Sequence, residues 1–174
     1  MNLRHGLVFA ALACVIVMLR AGEAANQQLP TPAQRQFVGT WSLVSIRYVE
    51  KDGRKVEPFG PGAKGMLYFD ADGRFATQVM AANRPRFASN NRMIGTPDEN
   101  KAVSQGVVAY FGTYTVDEPK HVLTLHIEQS SFPNWNGTDQ QRTFAFTGDE
   151  LRYTAASSTA NPAESAELVW KRAR

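Results

Sequence analysis

The sequence predicts an all-β fold, an eight-stranded antiparallel up-and-down barrel with one short helix. Short runs rich in β-branched and aromatic residues follow one another at fairly regular intervals, and turn residues separate them. Eight short strands must also hide their unpaired edges. A closed barrel hides them completely, and a two-sheet sandwich is the alternative.

The turn signals set the limits of the strands. The clearest is Asp72-Gly73, because glycine readily adopts the left-handed conformation that a tight hairpin needs. Further turns are expected at Gly53, at Pro119 and at Gly148. The eight predicted strands are residues 41–49, 65–69, 74–80, 107–116, 121–129, 140–146, 151–155 and 166–172.

One segment, residues 96–105, predicts a helix. Thr96 can cap the first turn, Pro97 suits the first helical position, and Glu99 completes a capping box. Gly106 then ends the helix.

The first 24 residues have the pattern of a secretory signal peptide. Arg4 and His5 precede an apolar stretch at residues 6–19, and small residues surround Ala24. The apolar stretch is shorter than the ~20 residues that a bilayer requires. We therefore expect cleavage near Ala24, export to the periplasm or the medium, and no stable membrane anchor. The only cysteine, Cys14, would leave with this segment.

Length and composition indicate one globular domain after the signal. The chain has 174 residues, 43% of them hydrophobic and 20% charged, and its net charge is +3. So small a charge does not call for a nucleic-acid partner. We expect a polar tether at residues 25–36, with Pro30 and Pro32, and a barrel domain at residues 37–174 that is a monomer.

Several motifs carry a resemblance to a known family. Gly39-Thr40-Trp41 resembles the Gly-x-Trp signature of lipocalins and fatty-acid-binding proteins, in which a basic side chain of the last strand lies over the Trp. Arg172 matches that side chain. Over residues 37–172 the chain resembles the bacterial and fungal lipocalin-like domain family, most closely at His126-Ile127-Glu128, Ser130-Ser131-Phe132-Pro133-Asn134-Trp135 and Gly137-Thr138-Asp139-Gln140-Gln141-Arg142.

The resemblance implies an eight-stranded barrel with a central cavity, in a family with few assigned activities. The chain departs from the usual pattern at two positions. Asn136 stands where an apolar residue is more common, and Leu125 stands where a second His often precedes the one at His126.

The strand at residues 121–129 can be read in two ways. One face carries Leu123, Leu125 and Ile127, and the other is largely polar, with His126 and Glu128. Burying the apolar face is the simpler interpretation. The alternative follows from the next strand, on which Gln140, Arg142, Phe144 and Phe146 share one face.

If residues 132–138 form a hairpin loop, antiparallel pairing places Glu128 opposite Arg142 and His126 opposite Phe144. The polar faces of both strands then point into the barrel, with Tyr110 on the preceding strand. We therefore predict an internal site for the polar end of a lipophilic ligand, bearing a carboxylate or a carbonyl group. The predicted ligand-binding residues are Tyr110, His126, Glu128, Ser130, Gln140, Arg142 and Phe144.

Two other functions remain open. An isomerase or cyclase could use His126 and Glu128 for proton transfer, with Arg142 stabilising an enolate or a carboxylate. A structural envelope protein would instead fill its cavity with its own side chains. We expect no cofactor and no metal site, since His121 and His126 point to opposite faces of a regular strand.

One loop is unusually basic, with Arg84, Arg86 and Arg92 in the long connection after the predicted strand at residues 74–80. It is read either as a solvated loop or as a cover near the barrel mouth that attracts anionic groups.

Overall fold

The computed structural model describes residues 31–158 and 161–174. The predicted signal peptide, Cys14 and the first part of the predicted tether lie outside the described residues. The elements are α1 (Pro32–Phe37), β1 (Gly39–Val49), β2 (Lys55–Val56), β3 (Lys64–Phe69), β4 (Arg74–Met80), α2 (Pro97–Gln105), β5 (Val107–Asp117), β6 (Val122–Ser130), a 3₁₀ turn (Pro133–Trp135), β7 (Asp139–Thr147), β8 (Glu150–Ser158) and β9 (Asn161–Arg172).

The strands close into an eight-stranded barrel. β1 and β3 to β9 pair antiparallel with their neighbours in chain order, and β1 also pairs with β9. The additional strand β2 contributes two residues beside the end of β1. The predicted up-and-down barrel is therefore confirmed over the sandwich.

α2 forms where its capping signal predicts. The Thr96 hydroxyl accepts a hydrogen bond from the Glu99 N–H at 3.2 Å, and the Glu99 carboxylate accepts one from the Thr96 N–H at 2.8 Å. These two bonds satisfy N–H groups that the first turn of a helix leaves unpaired.

The structure differs from the predicted tether at residues 32–36, which are helical. Thr31 and Gln34 form a capping box of the same kind, with bonds of 3.2 and 2.8 Å, and Pro32 stands at the start of the helix. Phe37 ends α1 fully buried, in edge contact with Phe69, Phe144 and Phe146 at 4.9 to 5.2 Å between ring centroids. α1 therefore plugs one end of the barrel, which we call the closed end.

A tryptophan and an arginine complete the closed end. The Trp41 indole N–H donates to the Phe37 carbonyl oxygen at 2.8 Å, and the Arg172 guanidinium lies 4.2 Å from the centre of the Trp41 ring. Arg172 also donates to the carbonyl oxygens of Val38 and Gln36 at 2.8 and 2.7 Å. The predicted placement of Arg172 over Trp41 is confirmed.

The opposite end, which we call the open end, carries the longer connections. Residues 50–63, 81–106 and 131–138 all lie there, whereas the connections at the closed end, residues 70–73, 118–121 and 148–149, are short. Within the described residues, neither α-helix is long and apolar enough to cross a bilayer.

Candidate ligand-binding cavity

A cavity of about 370 Å³ lies inside the barrel, towards the open end. Much of its wall is apolar, with side chains such as Ile46, Phe59, Val79, Val108 and Leu168. The polar groups in the wall include those of Thr77, Tyr110, Trp135, Gln140, Arg142 and Tyr153.

Arg142 places a buried cation in this wall. It points inward from β7 with 7% of its surface exposed. One terminal nitrogen donates to the Gln141 carbonyl oxygen at 2.9 Å, and the other donates to the Gln140 side-chain oxygen. Its Nε has no hydrogen-bond partner, and no ion pair among the described residues includes Arg142. Burying a charge lowers stability unless the charge is paired. The free Nε–H group of this guanidinium is therefore available to a hydrogen-bond acceptor in the cavity.

Two further buried donors in the same wall are unpaired. Tyr153 is 3% exposed, and its hydroxyl group lies beside the Tyr110 hydroxyl and the Trp170 indole without a hydrogen bond of good geometry. The indole nitrogen of Trp135 has no hydrogen-bond partner. Burial raises the pKa of Tyr153, and the neighbouring Tyr110 acts in the same direction. The phenol therefore keeps its proton and can donate it. The indole nitrogen of Trp170 is also unpaired, but Trp170 does not line the cavity.

The 3₁₀ turn after β6 holds Trp135 over the cavity. The Thr138 hydroxyl donates to the Trp135 carbonyl oxygen at 2.7 Å. The indole ring stands edge to face with Tyr110 at 5.5 Å and with Phe132 at 5.6 Å. These contacts fix the ring at the open end without using its N–H group.

The prediction that the polar face of β6 points inward is wrong. Leu123 and Leu125 are fully buried, and Ile127 is 2% exposed, so the apolar face lines the core. Leu123, not Glu128, pairs with Arg142. The true register differs from the predicted one by five residues, and an odd shift moves every side chain of a strand to the other face.

The connection between β6 and β7 explains the error. Their regular pairing stops at His126 and Asp139, so this is no tight hairpin. The Asn136 side chain accepts a hydrogen bond from the Ser130 N–H at 2.8 Å and donates to the Gln129 side chain at 3.1 Å. The unusual Asn136 therefore ties the loop back to the end of β6.

β6 also contains a bulge at Glu128, opposite the bond between Phe111 and Gly112 on β5. A side chain at position 112 would collide with the backbone carbonyl of His126, so only glycine fits there. Because of the bulge, the consecutive residues Glu128 and Gln129 both face solvent.

His126 and Glu128 consequently lie on the outer wall. The Nδ1 of His126 is 2.7 Å from a carboxylate oxygen of Asp139, and its Nε2 is 3.2 Å from the Thr115 hydroxyl. Glu128 lies 3.8 Å from Arg74. The predicted proton-transfer pair therefore cannot act on a molecule in the cavity, and Glu128 does not pair with Arg142.

Two other predicted residues also lie outside the cavity wall. The Ser130 hydroxyl accepts a hydrogen bond from the Phe132 N–H at 3.0 Å and so supports the loop. Phe144 is buried below the cavity, 4.9 Å from Phe37 and 5.8 Å from Phe146. Of the predicted set, the structure brings Tyr110, Gln140 and Arg142 together in the wall.

Sequence reasoning missed Tyr153 and Trp135 as cavity residues. Tyr153 alternates with Leu151 and Ala155 on β8, and all three are buried. From that alternation, the Tyr153 hydroxyl could have been predicted to lie inside the barrel. Within the described ranges, no group of three or more His, Cys, Asp or Glu side chains could hold a metal ion.

A family model described as "Lipocalin-like domain" matches residues 38–173. The chain belongs to this family. Part of this lipocalin-like protein is 32% identical, over 82 residues, to the 4'-hydroxy-3'-methoxypropiophenone carrier protein ppsC of Aspergillus oryzae (strain ATCC 42149 / RIB 40). The match covers 44% of this chain and 74% of the relative.

Two solved structures are similar to this lipocalin-like protein at 13% identity. A lipocalin-like protein from Bacteroides uniformis ATCC 8492 has a TM-score of 0.41, with 79% of this chain and 99% of the other covered. A mutant of the fluorescent protein UnaG has a TM-score of 0.39, with 80% and 98% covered.

Proposed function

We propose that this lipocalin-like protein carries one small, largely apolar molecule in its central cavity. The cavity volume of about 370 Å³ lies within the ~300–1,000 Å³ range of small-molecule sites. Apolar and aromatic side chains form much of the wall, and seven other residues, among them Asp139, Gln140 and Arg142, add polar groups. The related protein from Aspergillus oryzae is by its name a carrier, which supports the proposal.

The polar end of the ligand is a hydrogen-bond acceptor, a carboxylate or a carbonyl group. The observation that carries this step is the Nε of Arg142, a buried and unpaired donor on a cation. The Tyr153 hydroxyl and the Trp135 indole nitrogen are unpaired in the same wall. An acceptor satisfies such groups, whereas a ligand that carries only donors leaves them unpaired.

The residues proposed to contact the ligand are Arg142, Tyr153, Trp135, Gln140 and Tyr110. Arg142 and Gln140 would orient the acceptor, because Gln140 already holds one side of the guanidinium. The aromatic rings of Trp135 and Tyr110 would pack against the apolar part of the molecule.

Displacement of a hydrophobic fluorescent dye tests this proposal. The competitors share one aromatic skeleton and carry a carboxylate, a ketone or a primary amine. The carboxylate and the ketone should displace the dye, and the amine should do so much less well. Loss of discrimination among the three compounds would contradict the proposed acceptor site.

Outer-wall variants provide the matched control. Arg142→Met should weaken binding of the carboxylate at least about tenfold, which corresponds to ~1.4 kcal/mol. Glu128→Ala and the matched Arg152→Met change side chains that face solvent, so the affinity should stay unchanged. Native mass spectrometry of protein purified from its own host should also show a retained small molecule.

The two other functions considered from the sequence receive no support. A filled barrel has no room for a cavity of about 370 Å³. The His126–Glu128 pair of an isomerase or cyclase lies on the outer wall. We therefore propose binding without catalysis by this pair.

We further propose that the protein is an exported monomer. The pattern of the first 24 residues supports export. Intact-mass measurement of the protein from its host should give a chain that begins at Ala25, and light scattering should give the mass of one chain. A chain that retains its first 24 residues would contradict the proposed cleavage.

A further inference from the structure

The basic loop between β4 and α2 has a second unusual property. Across residues 81–96 every charged side chain is an arginine: Arg84, Arg86 and Arg92. Directly after Arg92 come Met93 and Ile94, which are 79% and 65% exposed. No other large hydrophobic side chain among the described residues is so exposed. Exposed apolar groups beside cations call for an explanation.

Met93 and Ile94 are exposed by an ordered turn. The Met93 N–H donates to the Asn91 side-chain oxygen at 2.9 Å, and the Ile94 N–H donates to the Asn91 carbonyl oxygen at 3.0 Å. The Ser89 hydroxyl donates to the Ile94 carbonyl oxygen at 2.6 Å. The turn thus holds both side chains outward. We use the term tip for Met93 and Ile94 together with the loop arginines Arg86 and Arg92.

The loop is also fastened to α2. The Glu99 carboxylate accepts hydrogen bonds from the Ala88 and Thr96 N–H groups, both at 2.8 Å. The hydrogen bonds from these backbone N–H groups lower the pKa of Glu99, and the bond from Ala88 has the largest effect. Of the two acids in the first turn of α2, Glu99 is bound to backbone and Asp98 is exposed. None of the three loop arginines forms an ion pair among the described residues.

The loop lies at the open end of the barrel. β4 ends at Met80 beside Lys64 and Val107, which begin β3 and β5. The cavity opens towards the same end. A surface that binds the tip would therefore face the entrance used by the ligand.

We propose that the tip docks the open end of the barrel onto an anionic lipid surface. Met93 and Ile94 insert among the acyl chains near the headgroups, and Arg86 and Arg92 contact the anionic headgroups. A bilayer fits this small patch better than a protein does, because a specific protein interface buries ~1,200 Å² or more. Docking would bring the cavity entrance to a region where apolar molecules dissolve.

Vesicle co-sedimentation of the ligand-free mature chain tests the docking. The probes are vesicles of phosphatidylcholine alone and vesicles that also contain phosphatidylglycerol. The protein should bind the anionic vesicles, and high salt should weaken the binding through screening. Equal binding to both vesicles, or to neither, would overturn the proposal.

Paired variants test the two parts of the tip. Met93→Ser/Ile94→Ser and Arg86→Gln/Arg92→Gln should each lower the partition coefficient roughly tenfold or more. Val44→Ser/Met66→Ser removes two exposed apolar side chains of the outer wall, and Lys120→Gln/Arg152→Gln removes the same charge towards the closed end. Both controls should bind as the unaltered protein does.

If the controls lose as much binding as the tip variants, the attraction is not specific to the tip and the proposal fails. The same holds if either tip variant binds normally. Circular dichroism melting confirms that each variant is folded. Because the assay uses no ligand, its outcome is independent of the cavity proposal.

Discussion

The two ends of the barrel use the same types of residue, an arginine and a tryptophan, in different ways. At the closed end, Arg172 and Trp41 donate their hydrogen bonds to backbone carbonyl groups, and the cation lies over the ring. Near the open end, Arg142 is buried and Trp135 is partly buried, and each keeps a buried N–H group without a partner. The closed end is complete without a ligand, and the cavity is not.

The difference shows how structural and binding roles can be told apart. A buried donor that is left without a partner lowers stability, so natural proteins pair nearly all of them. When several unpaired donors line one cavity, the missing acceptor is expected from outside the chain. Among the described residues, four side chains have a buried donor atom without a hydrogen-bond partner. Three of these side chains line the cavity.

The largest effect should come from removing a ring at the closed end. Phe37→Ala should lower the free energy of unfolding by about 3–5 kcal/mol, because Phe37 is fully buried among aromatic rings. Phe59→Ala, in the cavity wall, should cost about 2 kcal/mol, since one side of its ring already faces open space. Urea unfolding measures both. Equal losses would remove the contrast between the two halves.

A smaller loss is expected at the arginine of the closed end. Arg172→Met should lower the free energy of unfolding by about 1–3 kcal/mol, because two carbonyl groups lose a charged donor and Trp41 loses its cation. The control Lys171→Met changes the neighbouring exposed side chain and should cost less than about 0.5 kcal/mol. A loss no larger than that of the control would show that Arg172 does not stabilise the closed end.

The smallest effect should appear at alkaline pH. Burial, with the nearby Asp70 carboxylate, raises the pKa of Tyr114 from the usual 10.0 to about 12. The folded state then holds this proton more tightly than the unfolded state. The resulting stability is complete below pH ~10 and is lost as the pH rises towards ~12.

Tyr114→Phe removes this contribution. Its stability should therefore fall less steeply between those pH values, by roughly 1 kcal/mol after allowance for solvent screening. Tyr68→Phe, on the outer wall, serves as the control. Identical pH profiles for Tyr114→Phe and the unaltered protein would argue against a perturbed phenol at the closed end.

Local signals were sufficient for most of the fold. The Asp72-Gly73 turn placed β4 at Arg74–Met80 as predicted, and the Thr96 capping box placed α2. The same capping signal stands at Thr31, Pro32 and Gln34, so α1 was also accessible from the sequence. These features depend on residues within one turn of each other.

The site was harder to predict because it depends on a register. Gln140 and Arg142 follow from the inward face of β7, which Phe144 and Phe146 identify. The face of β6 depends instead on the loop tied by Asn136 and on the bulge at Glu128. The alternation of Leu123, Leu125 and Ile127 did indicate the buried face, but the register expected for a short hairpin loop pointed the other way. A register shift by an odd number of residues exchanges the two faces.

Arg142→Met, measured for stability and ligand binding in the same preparation, tests the central claim most directly. The variant removes a buried charge that has no carboxylate partner, so the free energy of unfolding without ligand should change by less than about 1 kcal/mol. The rise in melting temperature on addition of an aromatic carboxylate should be lost. A stability loss as large as that of Arg172→Met, with the ligand-induced rise intact, would contradict the account.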